Sequence, residues 1–465
     1  MSETSRRPGR AVDRSGPPPA GEIRPFQFPP FLRTTLPNGL RVFAARLEQV
    51  PLVSLEVVVP SAGGIHEPAG RQGLATLTAG LLDEGTARRS SVQIADEMER
   101  LGGYLASSAD WDVGFVATGL LSEHWREGLD LLGEVLAAPT FPAEEVDRLR
   151  RQRLAELLRR RQDPGSVVDD RLAAELFRGT VYAGPLVGTE ESVAGLDRAE
   201  LVRFYEDHYS LRGATLLAVG DLDPEELVRE AERIFGAGPS ATPPSPPEVR
   251  PEPLSGLSIH VVDRPNAPQT ELRVGHVGVP RTSPDWPALS VLNSLLGGKF
   301  TSRINLNLRE RHGYTYSAST RFSPRRGPGP FTVSASVQTS AVAASAREVL
   351  AELRRIRQEP VTVQELEETL SYMIGVFPYT VQTIGDLLKR LESMAIYDLP
   401  SDYFDAYLRR LPTITDGEVL EAARRHLHPD RIAIVAAGPA DVLEPQLSEL
   451  GPVRVWSAEA VAQPA

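Results

Sequence analysis

The sequence predicts an α+β protein built twice: two homologous α/β-sandwich domains, an internal duplication, joined by a Pro-rich linker. Three observations lead there. Residues 236–256 (GAGPSATPPSPPEVRPEPLSG) hold seven of the forty prolines and almost no apolar side chains, the composition of a stiff, solvated connector between halves of nearly equal length. On either side one pattern recurs at a constant spacing of 218. Residues 196–220 and 414–438 each read as an acid-started amphipathic helix ending near His208 or His426, then an aliphatic run closing on Gly220 or Gly438. Strands and helices are grouped along the chain and do not alternate strictly, which favours α+β over a doubly wound parallel sheet.

The elements follow in order. After a leader expected to be disordered over 1–30, the first domain spans 31–235. Apolar runs predict strands at 40–45 and 53–59, helical spacing predicts helices at 73–82 and 92–101, and period-two alternation predicts strands at 104–108 and 113–120. Helices at 125–137, 143–161 and 167–177 precede the repeated helix–strand unit. In the second domain, 257–461, strands are expected at 257–262, 271–277, 314–322 and 330–339, with helices at 286–295, 302–311, 344–358 and 363–395.

Composition removes several function classes. The net charge of −12, with Lys299 and Lys389 the only lysines and the arginines scattered, argues against binding a phosphate backbone, so no nucleic acid partner is expected. With no cysteine, disulfides, thiol nucleophiles, iron–sulfur clusters and Cys-type zinc sites are excluded together. The charge-sparse stretch 327–346 contains Pro328, Pro330 and many hydroxyl side chains, so it reads as a strand and not as a membrane span. The first 37 residues lack an apolar core, and Glu3, Asp13 and Glu22 interrupt their arginines; no signal or transit peptide is expected, and the default location is cytoplasmic.

Common chemical signatures are missing. Residues 297–300, Gly-Gly-Lys-Phe, lack the spacing and the hydroxyl of a P-loop, and neither GxGxxG, GxSxG nor HExxH occurs. The eight histidines include no i, i+4 pair, the spacing at which two imidazoles on one helix can share a metal.

Residues 63–86, GGIHEPAGRQGLATLTAGLLDEGT, resemble the insulinase-like, or pitrilysin-type, M16 zinc metallopeptidases, above all the small two-domain bacterial members. LPNGLRVF at 36–43, VGTEESV at 187–193 and the HYS and VGD phrases within 208–221 extend the likeness nearly end to end. The family carries an inverted HxxEH motif, two histidines for zinc and a glutamate for the metal-bound water. In this chain those positions fall on Thr76, Ala79 and Gly80, a hydroxyl, a methyl and a hydrogen, so the resemblance implies a degenerate centre with no catalytic residue and no zinc of its own. The family's third ligand position falls on Glu156, a lone remnant, for which a salt bridge to a neighbouring arginine is the plainer role. Asp83 and Glu84 at the end of the same helix read as a solvated turn.

A second family signature is intact. In LRERHGYTYS, Arg309 and Tyr316 have the spacing of the family's Arg/Tyr pair, which reaches substrate near the zinc of an opposing half. Arg309 is expected in the last turn of a helix that Gly313 ends, and Tyr316 on the next strand, on one face with Tyr314. A guanidinium and a phenol suit a peptide carbonyl and its developing oxyanion. The glycine-rich loop of the non-catalytic mitochondrial processing subunit is reduced here to Gly297 and Gly298.

The resemblance therefore implies a zinc-free subunit of a heterodimeric M16-type metallopeptidase. It would lend Arg309 and Tyr316 to an HxxEH-bearing homologue, which holds the zinc, for hydrolysis of unfolded peptides. The alternative is a structural or peptide-holding protein without peptidase function, like the core subunits of respiratory complexes that share the fold.

Overall fold

The chain forms two six-stranded sheets with the same strand order, as seen in a computed structural model that describes residues 24–238 and 241–457. The first sheet contains β1 (Leu32–Thr35), β2 (Arg41–Arg46), β3 (Leu52–Val59), β4 (Tyr104–Ala109), β5 (Gly114–Leu121) and β6 (Thr215–Gly220). The second contains β7 (Ser258–Asp263), β8 (Thr270–Val277), β9 (Thr315–Phe322), β10 (Pro330–Val337), β11 (Ala433–Gly438) and β12 (Val453–Trp456). Their orders are β1-β2-β6-β3-β5-β4 and β12-β7-β11-β8-β10-β9, so β2, β6, β3, β5 and β4 recur as β7, β11, β8, β10 and β9. The pairs β2–β6 and β7–β11 are parallel, and β3 and β8 run antiparallel to their neighbours on both sides.

The repeated unit is the helix Arg198–His208 with β6 and the helix Asp416–His426 with β11. Each helix starts at a capping box, Asp197 with Glu200 and Thr415 with Glu418, which satisfies backbone donors that the first turn would leave unpaired. Gly220 closes β6 at φ +146, where an added Cβ would fall 2.2 Å from the Leu52 carbonyl oxygen; only glycine fits.

β6 and β11 are buried along their whole lengths, as strands covered on both faces must be. The cover comes from two directions. Helices of the same half pack on one face. On the other, the helix Pro164–Leu176 of the first half lies across β8 and β11, and the helix Ile384–Ile396 of the second lies across β3 and β6. Leu387, Leu391 and Met394 thus share a core with Phe43, Leu217 and Val219, while Val168, Leu172 and Leu176 share one with Val262, Val435 and Ala437. The halves exchange one helix each.

Several boundaries differ from expectation for identifiable reasons. The helix expected over 363–395 is split into Val363–Val376, a 3-10 turn Phe377–Val381 and Ile384–Ile396. Pro378 cannot donate within a helix, and the Thr383 hydroxyl caps a new start by accepting from the Asp386 amide at 3.1 Å. The helices expected over 286–295 and 302–311 end in π-helical turns, Ser294–Gly298 and Leu306–Arg311. Within the leader expected over 1–30, residues 1–23 lie outside the described residues, whereas Phe28 stacks on Phe404 at 4.9 Å and donates its amide to Asp405 at 2.9 Å. The connector expected over 236–256 has no helix or strand after residue 238 among its described residues, and its Val249 is buried beside Tyr182 and Phe177. No helix among the described residues is long and apolar enough to cross a membrane.

The helix exchange places an acid in an apolar interface. Glu56, in the middle of β3, is buried and its Oε1 has no hydrogen-bond partner. Burial, reinforced by the nearby Glu392 carboxylate of the exchanged helix, pushes Glu56 up to about 8; burial and Asp110 push Glu392 to about 7, against the opposing charge of Lys389. Both folded values exceed the ordinary carboxyl value, so the native state retains protons that the unfolded chain releases above about pH 4.5. Stability from this site is therefore lost as pH rises toward about 8. Glu56→Gln should remove most of that slope and gain roughly 2–3 kcal/mol over wild type between pH 5.5 and 8, at about 1.4 kcal/mol per pKa unit. Denaturant midpoints of the two proteins across that range test this; parallel pH profiles would refute it.

Candidate functional site

The helix Leu74–Ala79 is buried along its length. It starts at Gly73, with φ +91, where an added Cβ would lie 2.9 Å from the Val187 carbonyl oxygen. Glu67 supplies the missing cap from outside the helix, its Oε1 accepting from the Ala75 amide at 2.8 Å. Burial pushes Glu67 up to about 8, although amide donors and Arg153 act in the opposite direction.

Arg153 decides the chemistry here. It extends from the helix Ala143–Gln162, and its Nη1 donates to Thr76 Oγ1 at 2.9 Å and to the Val187 carbonyl at 3.2 Å. Its Nε pairs with Glu156 Oε2 at 3.1 Å. Thus Thr76 and Glu156, two of the positions at which the family places zinc ligands, are bridged by one guanidinium. Ala79 is fully buried. At Gly80 an added Cβ would meet Leu149 at 3.4 Å, an ordinary contact, so no clash at Cβ requires the glycine. A fixed cation beside a hydroxyl and a methyl does not fit a zinc ion, which needs three converging N or O ligands and repels a neighbouring positive charge. Among the described residues no group of three His, Cys, Asp or Glu side chains is placed to hold a metal. Asp83 and Glu84 differ from the solvated turn expected: Asp83 accepts from Ser107 Oγ at 2.7 Å and burial raises its pKa, while Glu84 pairs with Arg148 at 2.5 Å.

The Arg/Tyr pair lies in the second half. Arg309 sits in the π-helical turn Leu306–Arg311, which ends at Gly313 with φ +67; the regular last helical turn expected from sequence is widened. Its guanidinium covers the Phe300 ring at 4.3 Å, its Nε is 3.5 Å from Glu310, and its buried Nη1 has no hydrogen-bond partner. Tyr316 is on β9, the outer strand of the second sheet, and is 87% exposed. The β9–β10 register shifts between Ala335 and Val337, which face Ala318 and Thr315, so β9 carries an extra residue beside Tyr316. Such a bulge re-aims side chains at a sheet edge. Tyr316 and Ser317 are consequently both exposed, while Tyr314 stacks on His312 at 5.0 Å and packs on the core, so the shared face expected for the two tyrosines is not formed.

Sequence reasoning missed the residues that hold this region together. Buried Asn305 donates to the Phe300 carbonyl at 2.6 Å and accepts from the Ala318 amide at 2.9 Å, tying the loop, the π turn and β9. Arg303 grips Glu365 with two bonds, 2.6 and 2.7 Å, and Lys299 donates to Thr369 at 2.7 Å, anchoring the segment to the helix Val363–Val376. Gly297 is required by close approach: an added Cβ would lie 2.6 Å from Thr320 of β9. The phrase KFTSRIN at 299–305 carries no local pattern that points to these partners.

Comparisons with known proteins agree with this layout. Residues 41–190 match the family model described as insulinase (peptidase family M16), and residues 195–373 match that of the peptidase M16 inactive domain. An uncharacterized zinc protease of Streptomyces coelicolor is 26% identical over 91% of this chain and 90% of its own length. One from Mycobacterium leprae is 30% identical over 61% of this chain and 64% of its own. Among solved structures, a peptidase M16 inactive domain from Pseudomonas fluorescens superposes with a TM-score of 0.81 at 27% identity, covering 88% of this chain and 98% of that one. A protease from Helicobacter pylori shares the fold at a TM-score of 0.80 with 17% identity, over 88% and 100%.

Proposed function

We propose that this chain, which belongs to the insulinase-type M16 peptidase family, is a zinc-free subunit that completes the active site of a zinc-bearing homologue. The observation that carries the reading is the opposite fate of the two family signatures. Where the family places its metal, Arg153 bonds to Thr76 and Glu156, and the family's base position is the methyl of Ala79. The Arg/Tyr pair, by contrast, is retained without a partner to serve within the chain: Tyr316 projects into solvent, and Arg309 keeps an unsatisfied Nη1. An unsatisfied buried donor costs roughly 1–3 kcal/mol, which a bound peptide carbonyl would offset. The substrate class is an unfolded peptide, with Arg309 and Tyr316 donating to the scissile carbonyl oxygen as negative charge builds there.

The test is reconstitution. The purified chain should hold no stoichiometric zinc by elemental analysis and leave unfolded peptides uncut. Mixed with an HxxEH-bearing homologue, it should give peptidase activity that neither protein has alone. One tightly held zinc per chain, lost in Glu156→Gln, would overturn the zinc-free assignment. A stable complex without activity would leave the structural, peptide-holding role instead.

A further inference from the structure

A second site lies in the second half, formed by residues that belong to neither family signature. Where Pro378 breaks the long helix, a cavity of about 280 Å³ opens between the helices Trp286–Asn293, Val363–Val376 and Tyr403–Arg410. Its walls are aromatic and aliphatic: Trp286, Met373, Phe377, Phe404 and Tyr407 among them. Its charged residues are two arginines, and no carboxylate lines it.

Both cations are held by rings. Arg281 is only 7% exposed, stands over Trp286 at 4.6 Å and Tyr403 at 5.0 Å, and donates from Nη1 to the Tyr403 hydroxyl at 2.9 Å. Arg390 lies 5.6 Å from the Phe377 ring centre and 5.5 Å from that of Phe404. Neither forms an ion pair among the described residues. Asp386, an acid on the same helix as Arg390, accepts from the Thr383 hydroxyl at 2.6 Å, and its own amide donates to that hydroxyl at 3.1 Å at the helix's start. Two like charges share one desolvated pocket, and burial with the repulsion of Arg281 holds Arg390 below the ordinary arginine value. Charges taken from water are normally paired. Here the planar forks face a cavity whose walls suit a ring.

We infer that this pocket binds an organic carboxylate with an aromatic body, its acid group on Arg390 and Arg281 and its ring against Trp286, Phe377 and Phe404. The acid can be a free small molecule or the C-terminal residue of a peptide. The inference does not rest on the peptidase reading, and its test uses no peptidase activity.

Calorimetric titration of the whole chain with 3-phenylpropionate, N-acetylphenylalanine and N-acetylphenylalanine amide tests it. Saturable binding of at least one acid is expected, with the amide weaker by about tenfold or more, the scale set by a lost charged hydrogen bond. Tighter binding of N-acetylphenylalanine would identify a peptide end; tighter binding of 3-phenylpropionate would identify a free acid. Arg390→Gln should weaken the acid by a similar factor while its thermal unfolding stays that of wild type. Absence of saturable binding by both acids at millimolar concentration, or equal binding of acid and amide, overturns the inference. So does a folded Arg390→Gln that binds as wild type does. If that variant fails to fold, the acid–amide comparison in the wild type decides alone.

Discussion

In a reconstituted complex with a zinc-bearing homologue, Tyr316→Phe and Arg309→Lys should each lower kcat by roughly 100- to 1,000-fold, the cost of removing one donor to a developing oxyanion. The two substitutions separate chemistry from assembly. Tyr316→Phe deletes one hydroxyl from a side chain that is 87% exposed, so the isolated subunit should keep its stability. Arg309→Lys keeps the charge over Phe300 but loses the planar fork and the second nitrogen, so a donor fixed by geometry is lost while the cation–π contact survives. Size-exclusion chromatography should show both variants forming the complex. A loss confined to KM would mean that the pair binds substrate and transition state equally. Retention of kcat within about twofold, with the complex intact, would remove the donor role altogether.

What the sequence discloses and what it conceals divide along one line, the distance over which the deciding interaction acts. The capping boxes at Asp197 and Thr415 act within a few residues, and the duplicated helix–strand unit is legible from them, whereas the close approach to Leu52 that requires Gly220 is made across the sheet. The helix 164–176 shows an apolar face in sequence, but nothing local tells that face to cover β11, which lies more than 250 residues further along the chain. The same holds at the site. Thr76, Ala79 and Gly80 announce a lost metal centre residue by residue, whereas Arg153 looks like one more solvated arginine on an arginine-rich helix until the fold brings it onto Thr76 from 77 positions away. The widened turn at Arg309 and the bulge at Tyr316 leave no local signature, because LNLRER and TYSAST satisfy the ordinary helix and strand patterns and the irregularities arise from Asn305 and the β10 register.

Glu175→Ala should destabilise the protein by about 3–5 kcal/mol, the cost of breaking one partner out of a buried charged network. Glu175 ends the exchanged helix Pro164–Leu176 and is 3% exposed. Its Oε1 accepts from Ser258 Oγ at 2.8 Å and its Oε2 from Arg178 at 2.8 Å, with fully buried Arg171 at 3.5 Å. The Trp456 indole can only donate, so His260 Nδ1 accepts from it at 2.9 Å, and the ring proton on Nε2 points to Ser258 Oγ at 2.8 Å. The chain Trp456 to His260 to Ser258 to Glu175 therefore runs in one donor direction and joins β12, β7 and a helix from the other half. Burial alone would raise Glu175, but the adjacent His260 ring, 3.5 Å from its Oε2, and the bonds from Ser258 and Arg178 outweigh it and hold the carboxyl well below the usual range. A lowered folded value contributes stability above the unfolded carboxyl pKa and loses it as pH falls, the reverse of Glu56 across the other exchanged helix. Acid thus loosens one exchange interface and alkali the other. Glu175→Gln, which retains the shape and an acceptor for Ser258, should close its stability gap to wild type as pH drops below about 4. Denaturant unfolding of both variants at neutral and acid pH measures the effect. A Glu175→Ala midpoint worth less than about 1 kcal/mol would show that Arg171 finds compensation elsewhere and that this network does not secure the exchanged helix.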